Sequence, residues 1–505
     1  MHCKRACLVI NPRAGENLAK IADIIAVLSA AGWDATIRIK EYGGHSMELS
    51  TEAAKQGYDL VIAYGGDGTL NQVVNGVMNA KGQHSIVGLI PGGTANVWAS
   101  EIGIPTDPVK AALTLVGSEV RKVDIGHAEV QGLTFPDTTT GDQDQQQSTD
   151  KKGHKRKVKA TPKAKHHFLL MAGLGIDASI MSGVSKPLKY KIGPLAVGVS
   201  AVKKLPEQHP FPVEIRANGG GRDGEVLWQG EALQVIIGNT RRYADVVQMT
   251  PNAYIDDGVL DVCVITAGNP LTTVQQITSL LLRRKPDNMT AEYFHGTHLS
   301  ISVPASIDLQ LDGSAVKLKD YLSKSDRKAL QQVDDADHVM VNYQFDAMPR
   351  ALHVAIPSTY NNTLFEDAPG KSKPHAEEQQ HADEEQSHAE AQQEDSSQHD
   401  GKGSEETHPE IVEALLQHGR TVKVVGVGPG PDKKHTYIIA GGTAKQATGE
   451  IKPVAVCING DTTVIKRTGE PAPPAVVGEL QEGAEIVAEG KKSKRGVIPA
   501  KRVVV

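Results

Sequence analysis

The sequence predicts an α/β domain, then an antiparallel β-rich domain, a disordered linker and a small all-β domain. Three observations carry that prediction. Over residues 1–122 short apolar runs alternate with helical repeats, the pattern of a parallel sheet. From about Val123 the pattern becomes short alternating strands divided by Gly and Asn turns, as an antiparallel domain requires. Glu366 to Glu410 is rich in Glu, Gln, His, Ser and Asp and cannot bury a core, and Val-rich alternation resumes beyond it. The expected domains are 1–122, 123–357 with insertions near 134–165 and 318–337, a linker over 358–410, and 411–505.

Within the first domain, Cys7 to Ile10 reads as a buried strand leading into the turn Asn11-Pro12-Arg13-Ala14-Gly15. A helix over Ile21 to Ala31 closes at Gly32, a strand follows over Ala35 to Ile39, and Gly43-Gly44-His45 opens a helix through Ala54. Leu60 to Tyr64 is a strand that breaks into Gly65-Gly66-Asp67-Gly68-Thr69 and continues at helical spacing to Val77. Ile86 to Ile90 is another strand, ending in Pro91-Gly92-Gly93-Thr94-Ala95-Asn96. Parallel sheets place ligands at the carboxyl ends of their strands, so three small-residue turns fall on one rim. Strand, glycine turn and helix together suit phosphate, because the backbone approaches closely and amides at the helix start point at an anion. A bare carboxylate repels phosphate. Asp67 therefore suits a metal ion or a proton taken from a hydroxyl, whereas a plain tight turn with Asp as a helix cap needs neither.

Composition bounds the rest. The 505 residues are enough for about three domains, and a hydrophobic fraction of 39% leaves part of the chain unfolded. A net charge of -6 argues against a whole-protein nucleic-acid binder. Cys3, Cys7, Cys263 and Cys457 make no disulfide or zinc pattern, which fits a reducing cytosol. The start of the chain has no signal-peptide pattern and no apolar run spans a bilayer, so a soluble or peripheral cytoplasmic protein is expected.

The motifs GGDGTLNQVVNGV and IPGGTANVWASEIGIP resemble the diacylglycerol kinase catalytic family, which includes bacterial lipid kinases and sphingosine kinases. The resemblance continues through Arg121 to Gly126, Gly173 to Ala178, Asn239, PNAYIDDGVLD over Pro251 to Asp261, and Leu311-Asp312-Gly313. It implies a two-domain lipid kinase fold: a nucleotide-binding α/β domain and a β-rich lipid domain with the active site between them. The activity it implies is transfer of phosphate from ATP, with Mg²⁺, to a hydroxyl of a diacylglycerol-like or sphingoid lipid at a membrane surface. Asn11, Pro12, Arg13, Ala14 and Gly15 would contact the nucleotide, Gly65 to Thr69 would grip phosphates, and Gly93 and Thr94 would add contacts. Asp67 and Asp312 would be catalytic. Asp257, with the carbonyls of Tyr254 and Val259, would hold a structural Mg²⁺, although Asp256-Asp257-Gly258 also reads as a hairpin turn.

Departures from the family pattern are Ser314 and Gln72 where glutamate is common, Val97 where many members have aspartate, and Lys40 where a nucleotide-contacting threonine is common. Lys40 could instead bring positive charge to the phosphates. A catalytically weakened lipid- or nucleotide-binding regulator, or a kinase of a soluble acceptor, are the alternatives. Peripheral membrane contact and a homodimer are allowed as partners; nucleic acid is not expected.

Three further stretches stand apart. Lys151 to Lys157 is densely basic: either a solvated loop or attracted to anionic lipid, at about 1 kcal/mol per basic residue. Lys186 to Leu205 looks amphipathic, for core packing or acyl-chain contact. Candidate strands from Val422 to Val505 suggest a small barrel or sandwich, with Gly426 to Gly430 as a turn.

Overall fold

A computed structural model describes residues 3–14, 17–80, 82, 84–135, 164–175, 210–217, 224–243, 247–266, 291–333, 336–366, 409–430, 436–444 and 451–505. The basic stretch at 151–157, the amphipathic segment at 186–205 and the linker beyond residue 366 lie outside the described residues.

The first domain is a parallel sheet of β1 (Arg5–Ile10), β2 (Asp34–Ile39), β3 (Leu60–Gly65) and β4 (Ile86–Pro91), ordered β4-β3-β1-β2. All six residues of β3 are buried, as a strand covered on both faces demands. Helix α1 (Ile21–Ala30) follows β1, α2 (His45–Lys55) follows β2 and α3 (Asp67–Asn79) follows β3, close to the predicted bounds. Two helices beyond β4 were not predicted: α4 (Val97–Glu101), too short to show a repeat, and α5 (Pro108–Gly117), whose apolar repeat was the available signal. Helix α5 begins with Asp107, whose Oδ1 accepts from the amides of Val109 and Lys110 at 2.9 Å, and with proline in its first turn.

The boundary expected near residue 122 is crossed by two long strands. β5 (Glu119–Thr134) and the strand Met340–Ile356 pair antiparallel from Ile356↔Glu119 to Met340↔Thr134. The second also joins β4 through Val354↔Val87, so a single fifteen-stranded sheet runs through both domains. The β-rich domain has its own core, which includes Phe168, Ile215, Ile237, Val262, Ile301, Leu311 and Phe345. The insertion at 318–337 carries a helix, Lys324–Gln331, capped by Ser323.

Residues 420–504 form a separate eight-stranded sheet. The stretch Gly426 to Pro429 is not the turn its glycines suggested: it lies inside the strand Arg420–Pro429. Its glycines serve close packing instead, because a Cβ on Gly428 would lie 3.0 Å from the Leu113 side chain of α5. This sheet lies on α1 and α5. Ile438, Ala440 and Ala455 join the core of the first domain, and Lys110–Glu482 (2.6 Å) and Arg495–Asp34 (3.2 Å) pair across the junction. Both ion pairs are exposed and contribute little, so apolar burial holds the contact.

Candidate active site

The carboxyl ends of β1, β3 and β4 converge as their spacing predicts. The amide of Asn11 donates to the Tyr64 carbonyl (3.0 Å), and that of Gly92 to the Gly65 carbonyl (3.0 Å). Asn11 Nδ2 then donates to Thr69 Oγ1 (3.3 Å), tying the first loop to the second. The second and third loops touch backbone to backbone: a Cβ on Gly93 would lie 2.4 Å from Gly66 Cα, and one on Gly66 2.9 Å from Gly93 Cα. Only glycine allows that approach. The third loop is pinned by Asn96, left-handed at φ 51°, whose Oδ1 accepts from the Gly93 amide while its Nδ2 donates to the Gly93 carbonyl, both at 2.9 Å.

These loops enclose a cavity of about 550 Å³ lined by Asn11, Arg13, Ala14, Lys40, Gly66, Gly68, Thr69, Gln72, Gly92, Gly93, Thr94 and Ser314. Nine of the sequence candidates are thereby brought together. Ser314 arrives from the β-rich domain, and its Oγ would lie 3.3 Å from a Cβ on Gly68. Gly65 is the buried end of β3, and Pro12 is outside the lining. Gly15 lies outside the described residues. Lys40 follows β2, its amide donating to the Ile10 carbonyl (2.9 Å). Burial, and then the charge of Arg13, lower its pKa.

Neither expected catalytic carboxylate lines the cavity. Asp67 turns toward the start of α4, where its Oδ1 accepts from the Trp98 amide (3.3 Å). Burial raises its pKa, against hydrogen bonds from the Val97 and Trp98 amides. Asp312, left-handed at φ 47°, is enclosed by four donors. Oδ1 accepts from the amides of Leu170 (2.8 Å) and Met171 (3.1 Å), and Oδ2 from the Leu169 amide (3.0 Å) and Asn71 Nδ2 (2.9 Å). Burial raises its pKa too, and those same donors oppose the rise.

Asn71 and Asn75 were absent from the sequence candidates although they matter to this seam. Asn71 and Asn75 both donate to the His167 carbonyl (3.0 and 2.9 Å), and Asn75 Oδ1 accepts from the amides of His166 and His167 at 3.0 Å each. Two asparagines four apart on one face of α3 were the available signal. Lys165 was missed as well. Burial pushes its pKa down to about 8, Asp312 pulls it back up, and Lys40 lowers it further.

The proposed structural cation site lies elsewhere, beneath β5. Asp257 Oδ1 accepts from the Val259 amide (3.0 Å), while Asp124 accepts from the amides of Gly258 and Arg350, both at 2.6 Å. Tyr254 lies under Arg241, its ring centroid 4.9 Å from the guanidinium carbon. Burial pushes Asp257 up to about 7, helped by Asp261, Asp124 and Glu366, and burial pushes Asp261 up to about 6. Asp257 is a donor of the type a hard cation takes, but His295 and Arg241 offset the charge of Asp261. Among the described residues no group of three or more His, Cys, Asp or Glu is placed to hold a metal. In the cavity the fit fails: its walls offer amide and hydroxyl oxygens but no carboxylate among the described residues.

Comparison with known proteins agrees with this architecture. Residues 5–128 match the family described as diacylglycerol kinase catalytic domain, and residues 171–331 the one described as YegS C-terminal NAD kinase beta sandwich-like domain. A diacylglycerol kinase of Bacillus subtilis (strain 168) is 26% identical over 313 residues, covering 61% of this chain and 89% of that protein. One from Staphylococcus saprophyticus is 28% identical over 311 residues, covering 61% and 88%. The crystal structure of a candidate diacylglycerol kinase from Bacillus anthracis str. Sterne shares the fold, with a TM-score of 0.50 and 21% identity over 72% of this chain and 99% of that one. Residues 5–128 carry a diacylglycerol kinase catalytic domain, and the homologues support a kinase, a phosphotransferase acting on an alcohol.

Proposed function

We propose that the protein is an ATP-dependent lipid kinase that phosphorylates a hydroxyl of a diacylglycerol-like or sphingoid lipid. The observation that carries the reading is the convergence of three glycine loops and the Ser314 turn of the second domain on one cavity. Phosphoryl transfer asks the protein mainly for positioning and charge stabilisation, with little covalent chemistry. Amides of the loop before α3 face the phosphates at a helix start. Asn11 and Thr69 hold two loops in register, and Thr94 completes the rim. Arg13 and Lys40 stabilise charge on the transferring group. Asp312 holds the turn carrying Ser314 against α3, and Asp67 holds α4 against the glycine loop. Mg²⁺ would be held at Asp257 with the Tyr254 and Val259 carbonyls, where it would brace the turn.

A catalytically weakened nucleotide-binding regulator is the second reading, favoured by the commitment of Asp67 and Asp312 to backbone amides. Labelled ATP, the full chain and vesicles containing diacylglycerol or sphingosine distinguish the two. Label in the lipid fraction, lost in a Gly93→Ala control, is the expected result. Nucleotide binding with no label in any lipid would make it a regulator.

No helix among the described residues is long and apolar enough to cross a membrane. Contact with the membrane surface in this reading is peripheral.

A further inference from the structure

The cavity walls carry two cationic side chains, Arg13 and Lys40, and no carboxylate among the described residues. At positions 72 and 314, on either side of the glycine loop, stand a neutral amide and a hydroxyl. The two acidic side chains near the loop are turned away and engaged. Asp67 meets amides at the start of α4, and Asp312 meets three amides and Asn71. An anion in this cavity therefore meets lysine, arginine and amide hydrogens, and no carboxylate among the described lining residues.

We propose that this cavity neutralises a nucleotide's triphosphate with Arg13 and Lys40 in place of a divalent cation held on side-chain carboxylates, so that the nucleotide binds without metal. The inference rests on the kinase reading and specifies how its site recognises the donor. A triphosphate carries about four negative charges near neutral pH. It ordinarily enters protein sites with a cation that bridges its oxygens and neutralises their charge. Here Arg13 and Lys40 supply positive charge from the walls, and no carboxylate among the described residues lines them. Burial, and then the charge of Arg13, lower the lysine's pKa, so the two cations share the cavity wall.

Titration calorimetry of the full chain with ATP, in EDTA and in excess Mg²⁺, tests this. The Kd values in EDTA and in Mg²⁺ are expected within about threefold of each other, and metal-free binding should weaken steeply with salt. Lys40→Thr should weaken metal-free binding at least about tenfold, with Lys40→Arg restoring it, since a screened cation contact is worth that much. Lys40 is at a strand end and partly exposed, so both variants should fold, which their thermal melts would verify. Binding that tightens more than threefold with Mg²⁺, or that ignores Lys40→Thr, overturns the inference and leaves the nucleotide reading standing. Absence of ATP binding in both buffers overturns the nucleotide reading and the inference with it.

Discussion

The cavity and the Asp124–Asp257 cluster are two polar sites built on opposite principles. In the cavity the backbone supplies the binding surface, the acidic side chains are turned into helix starts and amide nests, and the free charges are positive. In the cluster Asp124, Asp257 and Asp261 crowd together and two of them are pushed toward neutral pKa values. One site presents cations to solvent and the other buries carboxylates. Sequence presents both as glycine turns with aspartates, so the difference lies in where the carboxylates are pointed, which only the fold decides.

The sharpest way to break the comparison is at the cavity's backbone. Gly93→Ala would place a methyl 2.4 Å from Gly66 Cα, and neither atom belongs to a flexible side chain. Kinase activity and nucleotide binding should fall by more than about a hundredfold, since loop misplacement of an ångström alone costs that order. Gly43→Ala, where a Cβ meets nothing within 4 Å, should be neutral in the same assay.

The next effect is on the seam between the domains. Asn71→Leu removes a donor to the buried Asp312 and to the His167 carbonyl. Urea unfolding should show a loss of about 2–4 kcal/mol, the cost of stranding buried polar groups. Asp312→Asn should destabilise at least as much, because its amide nitrogen would face two N–H donors whichever way it turned. If Asp312→Asn left stability unchanged but abolished turnover, its role would be proton transfer and not positioning.

The smallest effect sharpens the other site. Burial raises the folded pKa of Asp257 to about 7 from its ordinary 3.8. A raised carboxylate pKa means that the folded state holds the proton more tightly, so its contribution to stability is lost as pH rises from about 4 through about 7. Without divalent cations the melting temperature should therefore drop over that window. Mg²⁺ at pH 8 should raise it by a few degrees, and Asp257→Asn should remove both responses.

Much of this was legible in advance. The strands and helices of residues 1–79 announced themselves by period and by glycine breaks, and the three rim loops followed from parallel-sheet geometry. What stayed hidden has physical reasons. Helix α4 is five residues long and too short to show a period. The turn toward α4 that Asp67 makes depends on where the third loop folds back, and the enclosure of Asp312 depends on a segment 141 residues earlier in the chain. Gly426 and Gly428 read as a turn because glycine spacing cannot distinguish a bend from a strand pressed against a helix.

The sheet formed by residues 420–504 also bears on how the protein can be handled. Because Ile438, Ala440 and Ala455 complete the covering of α1 and α5, stopping the chain before residue 409 would not yield a copy of its shorter relatives. It would lay bare an oily flank on the helix that leaves the Asn11 loop. Such a fragment should stick to itself or to chaperones, and poor behaviour after trimming would say nothing about the chemistry of the cavity.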